Sequence, residues 1–274
     1  MENKHTFAIC AYKESSFLEE CIKSLKNQSI ESEIFIITST PNSYIDRTAE
    51  KYGIPVYVNT GEAGIVQDWN FAYKKAQTEF VTITHQDDVY FEKYAEHVVR
   101  EFEKSSKPLI FFTDYAEMRN GEKVTDNRLL RIKRLMLLPL KVKVFRKSRF
   151  VRRRILSLGS PICCPSVAFA KKNLPETVFK PGFASDEDWE AWEYISRFKG
   201  EFIYDKEILV GHRIHEESET SKILGNNARN KEDYTMFCKF WPKPIAKILA
   251  RWYAESEKSM SCRNVDGNEI WKKN

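Results

Sequence analysis

Short apolar runs alternate with amphipathic segments along the first hundred residues. Thr6–Ala11, Glu33–Thr38, Ile54–Val58 and Phe80–Thr84 are brief and rich in β-branched or aromatic residues, so they predict strands. Between them, Ser16 to about Asn27, Pro41–Tyr52 and Gly64–Ala76 predict helices. In the first helix Leu18, Cys21, Ile22 and Leu25 share one face, and Ser16-Phe-Leu-Glu19 has capping-box form. Gly53 suits the end of the second. Repeated strand–helix alternation predicts an α/β fold whose mainly parallel sheet carries helices on both faces. Later segments predict a helix at Tyr90–Lys104, a strand at Phe202–Val210, and an amphipathic helix with Trp189, Trp192 and Ile195. Beyond about Asn226, Tyr234, Phe237, Phe240, Trp241, Ile245, Ile248 and Trp252 predict C-terminal helices that pack on the body, pair with another subunit or border a substrate. The implied division is a domain over 1–225, with a basic amphipathic insertion at about 127–158, and a helical extension and tail over 226–274.

The chemistry concentrates where the fourth strand stops. Val81-Thr-Ile-Thr-His-Gln-Asp-Asp-Val-Tyr90 ends an apolar run in two adjacent carboxylates, Asp87 and Asp88. Ligands of open α/β sheets bind at that strand edge. Two like charges side by side need compensation, and hard carboxylate oxygens suit Mg²⁺ or Mn²⁺. The plain alternative is a solvated turn with an Asp capping the next helix.

Net charge changes the picture of the second half. The chain of 274 residues carries a formal +5, yet Asn127 to Pro175 holds 14 Lys and Arg and no Asp or Glu. An acidic body therefore carries one basic belt. In its densest part, Arg128–Arg154, the residues Leu129, Ile132, Leu135, Met136 and Leu138 can gather on one helical face. Basic residues beside such a face suit an anionic membrane surface. A solvated face over a core stripe is the plain alternative, and nucleic acid is the least favoured partner. No apolar run reaches membrane-spanning length, and the N-terminus lacks a signal-peptide core. The six cysteines show neither a CxxC pair nor zinc spacing and read as reduced thiols, buried as small hydrophobes. A cytoplasmic protein, peripheral at the inner face of a membrane, is the expectation.

Other polar clusters fall at matching places. The first strand leads into Ala11-Tyr12-Lys13-Glu14, where Tyr12 can stack on a base and Glu14 can accept hydrogen bonds, or both can simply cover the core edge and helix start. Gly61-Glu-Ala-Gly64 precedes a helix N-terminus suited to phosphate, although a turn explains it equally. Asp68 and Asn70 follow, with Trp69 between them. Ser185-Asp-Glu-Asp-Trp-Glu-Ala-Trp192 sets three acids at a helix start, as helix capping or as the seat of a general base. Gly211-His-Arg-Ile-His-Glu-Glu-Ser-Glu-Thr-Ser221 offers His212, Arg213 and His215 to a metal or a diphosphate. Neither GxGxxG nor a Walker A motif follows the first strand, which argues against a dinucleotide site or a P-loop.

In order, these pieces resemble the family 2 glycosyltransferases of the nucleotide-sugar-dependent GT-A fold. The resemblance runs from about Thr6 to Ser221 and rests on Ala11-Tyr12-Lys13-Glu14, Gly64…Asn70, Val81…Gln86-Asp87-Asp88, Asp186-Glu187-Asp188-Trp189 and His212-Arg213-Ile214-His215…Ser218. It implies a GT-A sheet with a C-terminal helical extension, a divalent cation (Mn²⁺ or Mg²⁺) and inverting transfer from a nucleotide-sugar to a saccharide or lipid-linked saccharide, as in surface polysaccharide synthesis. By the same resemblance Asp87 is the metal ligand, with His85 and His215 as further candidates. Ala11, Tyr12, Glu14, Gly64, Asn70, Gln86, Asp88 and Arg213 contact the donor. Asp188 is the general base, with Glu187 beside it. The chain departs from the family at His85, where many members carry an acid, and in Thr38-Ser-Thr-Pro-Asn-Ser43, where many carry an Asp for the base. A non-catalytic nucleotide-sugar or anionic-lipid binding module of the same fold is the alternative, and a homo-oligomer is left open. A nucleotidyltransferase would need a glycine-rich basic loop that Ala11–Ser16 does not supply.

Overall fold

The computed structural model describes residues 3–215 and 227–265, with only the backbone described for 227, 228 and 256–265. Four strands form first: β1 (His5–Cys10), β2 (Glu33–Thr38), β3 (Val56–Val58) and β4 (Phe80–His85). Helices α1 (Leu18–Lys26), α2 (Ser43–Tyr52) and α3 (Ile65–Lys75) connect them. β3, β2, β1 and β4 lie side by side and parallel, as the alternation predicts. Beyond them come β5 (Val89–Tyr90), α4 (Tyr94–Glu103), β6 (Pro108–Arg119) and β7 (Glu122–Val124). The basic insertion folds as α5 (Arg128–Leu137), a 3₁₀ turn, α6 (Lys143–Arg146) and α7 (Arg149–Leu156). β8 (Val167–Ala170), α8 (Glu187–Ser196) and β9 (Glu201–Ile214) follow, and α9 (Asn227–Cys238) and α10 (Lys243–Val265) close the chain.

The described strands make one sheet in the order β3-β2-β1-β4-β8-β6-β9-β5, with β7 paired to β6. β8 runs antiparallel between β4 and β6, and β9 is parallel to β6, so the second half is mixed. Side-chain alternation along the strands sends residues to two cores. Phe7, Ile9 and Ile36 pack under α1, α2 and α4. Ala8, Phe35, Ile37, Val81 and Ile83 pack under α3, α8 and the C-terminal helices, which contribute Met236, Phe237, Ala246 and Ala250.

Several local expectations change. The Ser16–Glu19 capping box does not form: Phe17 occupies the N-cap, and Glu19 instead accepts from Lys51 and Tyr52, each at 2.8 Å. The acidic pair caps no helix, because Val89–Tyr90 first pairs with β9 and α4 starts at Tyr94 after Lys93. The strand expected to stop at Val210 continues to Ile214, since β6 lies beside it through Arg119. β6 and β8 have no counterpart among the elements read from the sequence. In α5 the buried apolar residues are Leu130 and Leu137, whereas Ile132 and Leu135 of the expected face are exposed. Ser218 and the expected domain boundary at 225/226 lie outside the described residues.

Candidate active site

The sheet places the acidic pair against the far end of the chain. Asp87 and Asp88 follow directly on β4, and the long β9 brings His212, Arg213 and His215 onto them from about 125 residues away. The Asp87 carboxylate meets His215 Nε2 at 2.9 Å. Asp88 Oδ1 meets His212 Nδ1 and accepts from the Arg213 backbone N–H, both at 2.9 Å. Arg213 turns back, donating to the Asp87 carbonyl at 2.8 Å and to Glu20 at 2.7 Å, with its guanidinium over the Phe17 ring. His85 stacks flat on Trp69, with ring centroids 5.4 Å apart, and turns Nδ1 toward Asp88 at 3.5 Å.

These contacts set the charges. Burial alone would raise the Asp87 carboxyl, but the bond from His215 and the nearby His85 and His212 outweigh it and hold it below the ordinary value. Burial would lower His212, and the Asp88 carboxylate reverses that, so its pKa lies above the usual imidazole range. The Asp188 carboxyl is moved the other way: half-buried in the first turn of α8, it is raised by desolvation despite accepting from Trp189 N at 2.6 Å. Lys133 and His85 lie within electrostatic reach of it and oppose the rise. Glu187 is buried one residue before it.

His85, Asp87 and Asp88 can each point one ligand atom into a shared space less than 4.8 Å across. Asp88 Oδ2 is buried without a hydrogen-bond partner, 3.5 Å from His85 Nδ1. Two carboxylates and an imidazole suit a divalent ion of the Mn²⁺ or Mg²⁺ kind, so the donor set fits the cation that the sequence implies.

The remaining predicted residues divide by what holds them. Ala11 is buried and donates its N–H to Ile37. The backbone of Tyr12 is clasped by Gln86, which donates to Tyr12 O at 2.9 Å and accepts from Tyr12 N at 3.2 Å, and this leaves the Tyr12 ring exposed at the sheet edge. Glu14 is exposed in the same loop. Gly64 starts α3 at φ 156°, a backbone that side chains rarely adopt. The Asn70 amide is committed to the Phe179 backbone, donating at 2.8 Å and accepting at 3.2 Å.

Lys133 escaped the site reading. It donates to Tyr115 Oη at 3.0 Å, and the Tyr115 ring lies edge-on to His212. The signal was present in the helix period, because Leu130, Lys133 and Leu137 share the inward face of α5. Cys163 and Cys164 also border the site, and burial pushes both thiols up, which keeps them protonated.

The family model for "Glycosyl transferase family 2" matches residues 6–179, more than half of the chain. The chain belongs to glycosyltransferase family 2. A protein named as an uncharacterized glycosyltransferase of Rickettsia conorii is 26% identical over 225 residues, covering 80% of this chain and 35% of that protein. A second, from Rickettsia felis, is 25% identical with the same coverage. This chain thus spans about a third of the length of those relatives. The Pyrobaculum calidifontis mannosyltransferase PcManGT, solved with GDP-Man and Mn²⁺, superposes with a TM-score of 0.61 at 14% identity, over 98% of this chain and 77% of that one. S. aureus TarS 1-349, solved with UDP-GlcNAc, gives 0.57 at 14% identity, over 95% and 74%. The fold of this family 2 member is GT-A.

Proposed function

We propose that this chain is a metal-dependent inverting glycosyltransferase. It moves a sugar from a nucleotide-sugar to a hydroxyl of a saccharide or lipid-linked saccharide acceptor, in the synthesis of a surface polysaccharide. The observation that carries the reading is the meeting of Asp87 and Asp88 with His212, Arg213 and His215 at the sheet edge, with Asp188 across the site. The nucleotide-sugars named for two proteins of like fold support the donor class.

Asp87 and Asp88 would hold the cation, with His85 beside them, and Asp88 would also face the donor's sugar or ribose. A bound Mn²⁺ or Mg²⁺ would neutralise charge developing on the departing diphosphate. The exposed Tyr12 ring, with Ala11, Glu14 and Gln86, forms the base side of the donor groove, and the start of α3 at Gly64, with Asn70 behind it, faces the phosphates. His215 and Arg213 close over the diphosphate. Asp188 takes the proton from the acceptor hydroxyl as its oxygen attacks the anomeric carbon opposite the leaving group. Its raised pKa makes it a stronger base than an exposed carboxylate, and Glu187 supports it. One base acting on an acceptor needs no carboxylate nucleophile.

Thermal-shift binding against UDP-, GDP-, dTDP- and CMP-sugars, with Mn²⁺, Mg²⁺ or EDTA, tests the donor half. A metal-dependent shift with one nucleotide class is expected, and Asp87→Asn abolishes it. Asp188→Asn keeps the shift but lowers transfer by about 10²–10⁴-fold, the usual contribution of a positioned base. Normal turnover in Asp188→Asn would refute the base assignment.

A further inference from the structure

Most cations of the basic belt are already engaged. Arg131 and Arg134 pair with Asp126 and Asp114, Arg153 pairs with Glu193, and Arg152 donates to the carbonyls of Ser196, Phe198 and Gly200. Arg146 donates to the Leu140 and Tyr204 carbonyls. These groups fasten the insertion to the body and leave a shorter stretch facing solvent.

That stretch is Leu138 to Phe150. Leu140 anchors it in the core, and turn hydrogen bonds from Val142, Phe145 and Ser148 to Pro139, Val142 and Phe145 fix its backbone. On this frame stand Leu138, Val142, Val144, Phe145 and Phe150, all exposed, with Val144 at 67% and Phe150 at 71%. Lys141 and Lys143 have no ion pair among the described residues, and Lys147 reaches only Glu201, at 3.6 Å. Ordered apolar side chains projecting into water beside unneutralised lysines mark an interaction surface.

We propose that Leu138–Phe150 docks this protein on an anionic lipid bilayer. Val142, Val144, Phe145 and Phe150 enter the interface while Lys141, Lys143 and Lys147 meet the headgroups. A second copy of the chain is a poor occupant, because a two-fold contact would set these lysines against themselves. A nucleic acid would satisfy the lysines and give the aliphatic valines nothing to bury in. Docking requires no part of the transfer chemistry, so it stands or falls apart from the catalytic reading.

The test is co-sedimentation of the whole chain with phosphatidylcholine vesicles, with and without phosphatidylglycerol, at low and physiological salt. Binding is expected only with phosphatidylglycerol, weakening as salt rises. Val144→Asp combined with Phe150→Asp should lower partitioning about tenfold or more by removing apolar insertion, with an unchanged melting temperature because both sites are exposed. Lys141→Glu with Lys143→Glu should abolish the phosphatidylglycerol requirement together with the binding. Trp252→Asp, in the exposed stripe of α10, should leave partitioning as it is. No binding to anionic vesicles at low salt, wild-type binding by the double Asp variant, or loss of binding in Trp252→Asp would each overturn the proposal.

Discussion

Asp188 and Lys133 show how one residue is tuned by another that shares none of its secondary structure. Burial raises the Asp188 carboxyl, and the Lys133 ammonium, held at Tyr115, pulls it back. A base works only when deprotonated, so with Asp188 in its proposed role transfer should fall on the acid side at a pH above the ordinary carboxylate range. Lys133→Met removes the restraint, and the acid limb of kcat/KM against pH should move further up; each unit of displacement corresponds to about 1.4 kcal/mol of lost interaction. An unmoved limb would separate Lys133 from the base. The sequence displayed Asp87, Asp88 and Asp188 because acids at a strand end and a helix start stand out from their surroundings. It concealed Lys133 inside a run of cations, and Tyr115 inside a strand that carries no alternation to betray it.

At the scale of elements, α9 is a working part of the acidic loop before α8. Glu232 accepts from the backbone N–H groups of Ala184 and Ser185, each at 2.9 Å, and from the Ser185 hydroxyl at 2.7 Å. Asp186, the next residue, is pushed up to about 9, first by burial and then by the nearby Asp233 carboxylate of α9. The native chain therefore keeps a proton that the unfolded chain releases near the ordinary Asp value. Stability from this group is intact at low pH and declines as pH rises toward 9. Asp186→Asn cannot ionise, so its melting temperature at pH 8 should exceed that of the parent, with the gap closing near pH 4. A gap that persists at pH 4 would point to packing instead. The parallel strands β1 to β4 were legible because each βαβ unit carries its own turn signals and helix period. β6 escaped because Leu109-Ile-Phe-Phe112 is apolar on both faces, as a strand covered on both sides must be. In α5 the helix period grouped Ile132 and Leu135, which the tertiary fold turns outward, and left out Leu130 and Leu137, which the fold buries.

Across the whole molecule a buried imidazole sits at the edge of the core beneath α1, α2 and α4, with its ring against Phe7 and Tyr94. His5 lies fully buried there, 3.0 Å from Ser32 Oγ and 2.9 Å from Thr82 Oγ1, and desolvation drives its pKa down to about 3. The unfolded chain takes up a proton near pH 6.5 that the native state refuses, so this residue favours folding least in acid. Stability should fall below pH 6.5 with a slope from this group of up to about 1.4 kcal/mol per pH unit. In His5→Gln that part of the slope disappears, which paired denaturant titrations from pH 7 to 4 would reveal; parallel curves for the two proteins would refute it.

The placement of β9 between β6 and β5 bears on how the protein is made. Asp87 and Asp88 leave the ribosome before the strand that supplies His212, Arg213 and His215, which follows more than a hundred residues later. Until it arrives, β6 presents an open flank of apolar backbone, a template for wrong pairing with other nascent chains. The contacts that would bind the donor therefore wait for a strand made long after the acidic pair. A product interrupted before about residue 200 would be a catalyst without a site and an aggregation hazard at once, and a ligand that engages both Asp87 and His215 would recognise only molecules whose synthesis had passed that point.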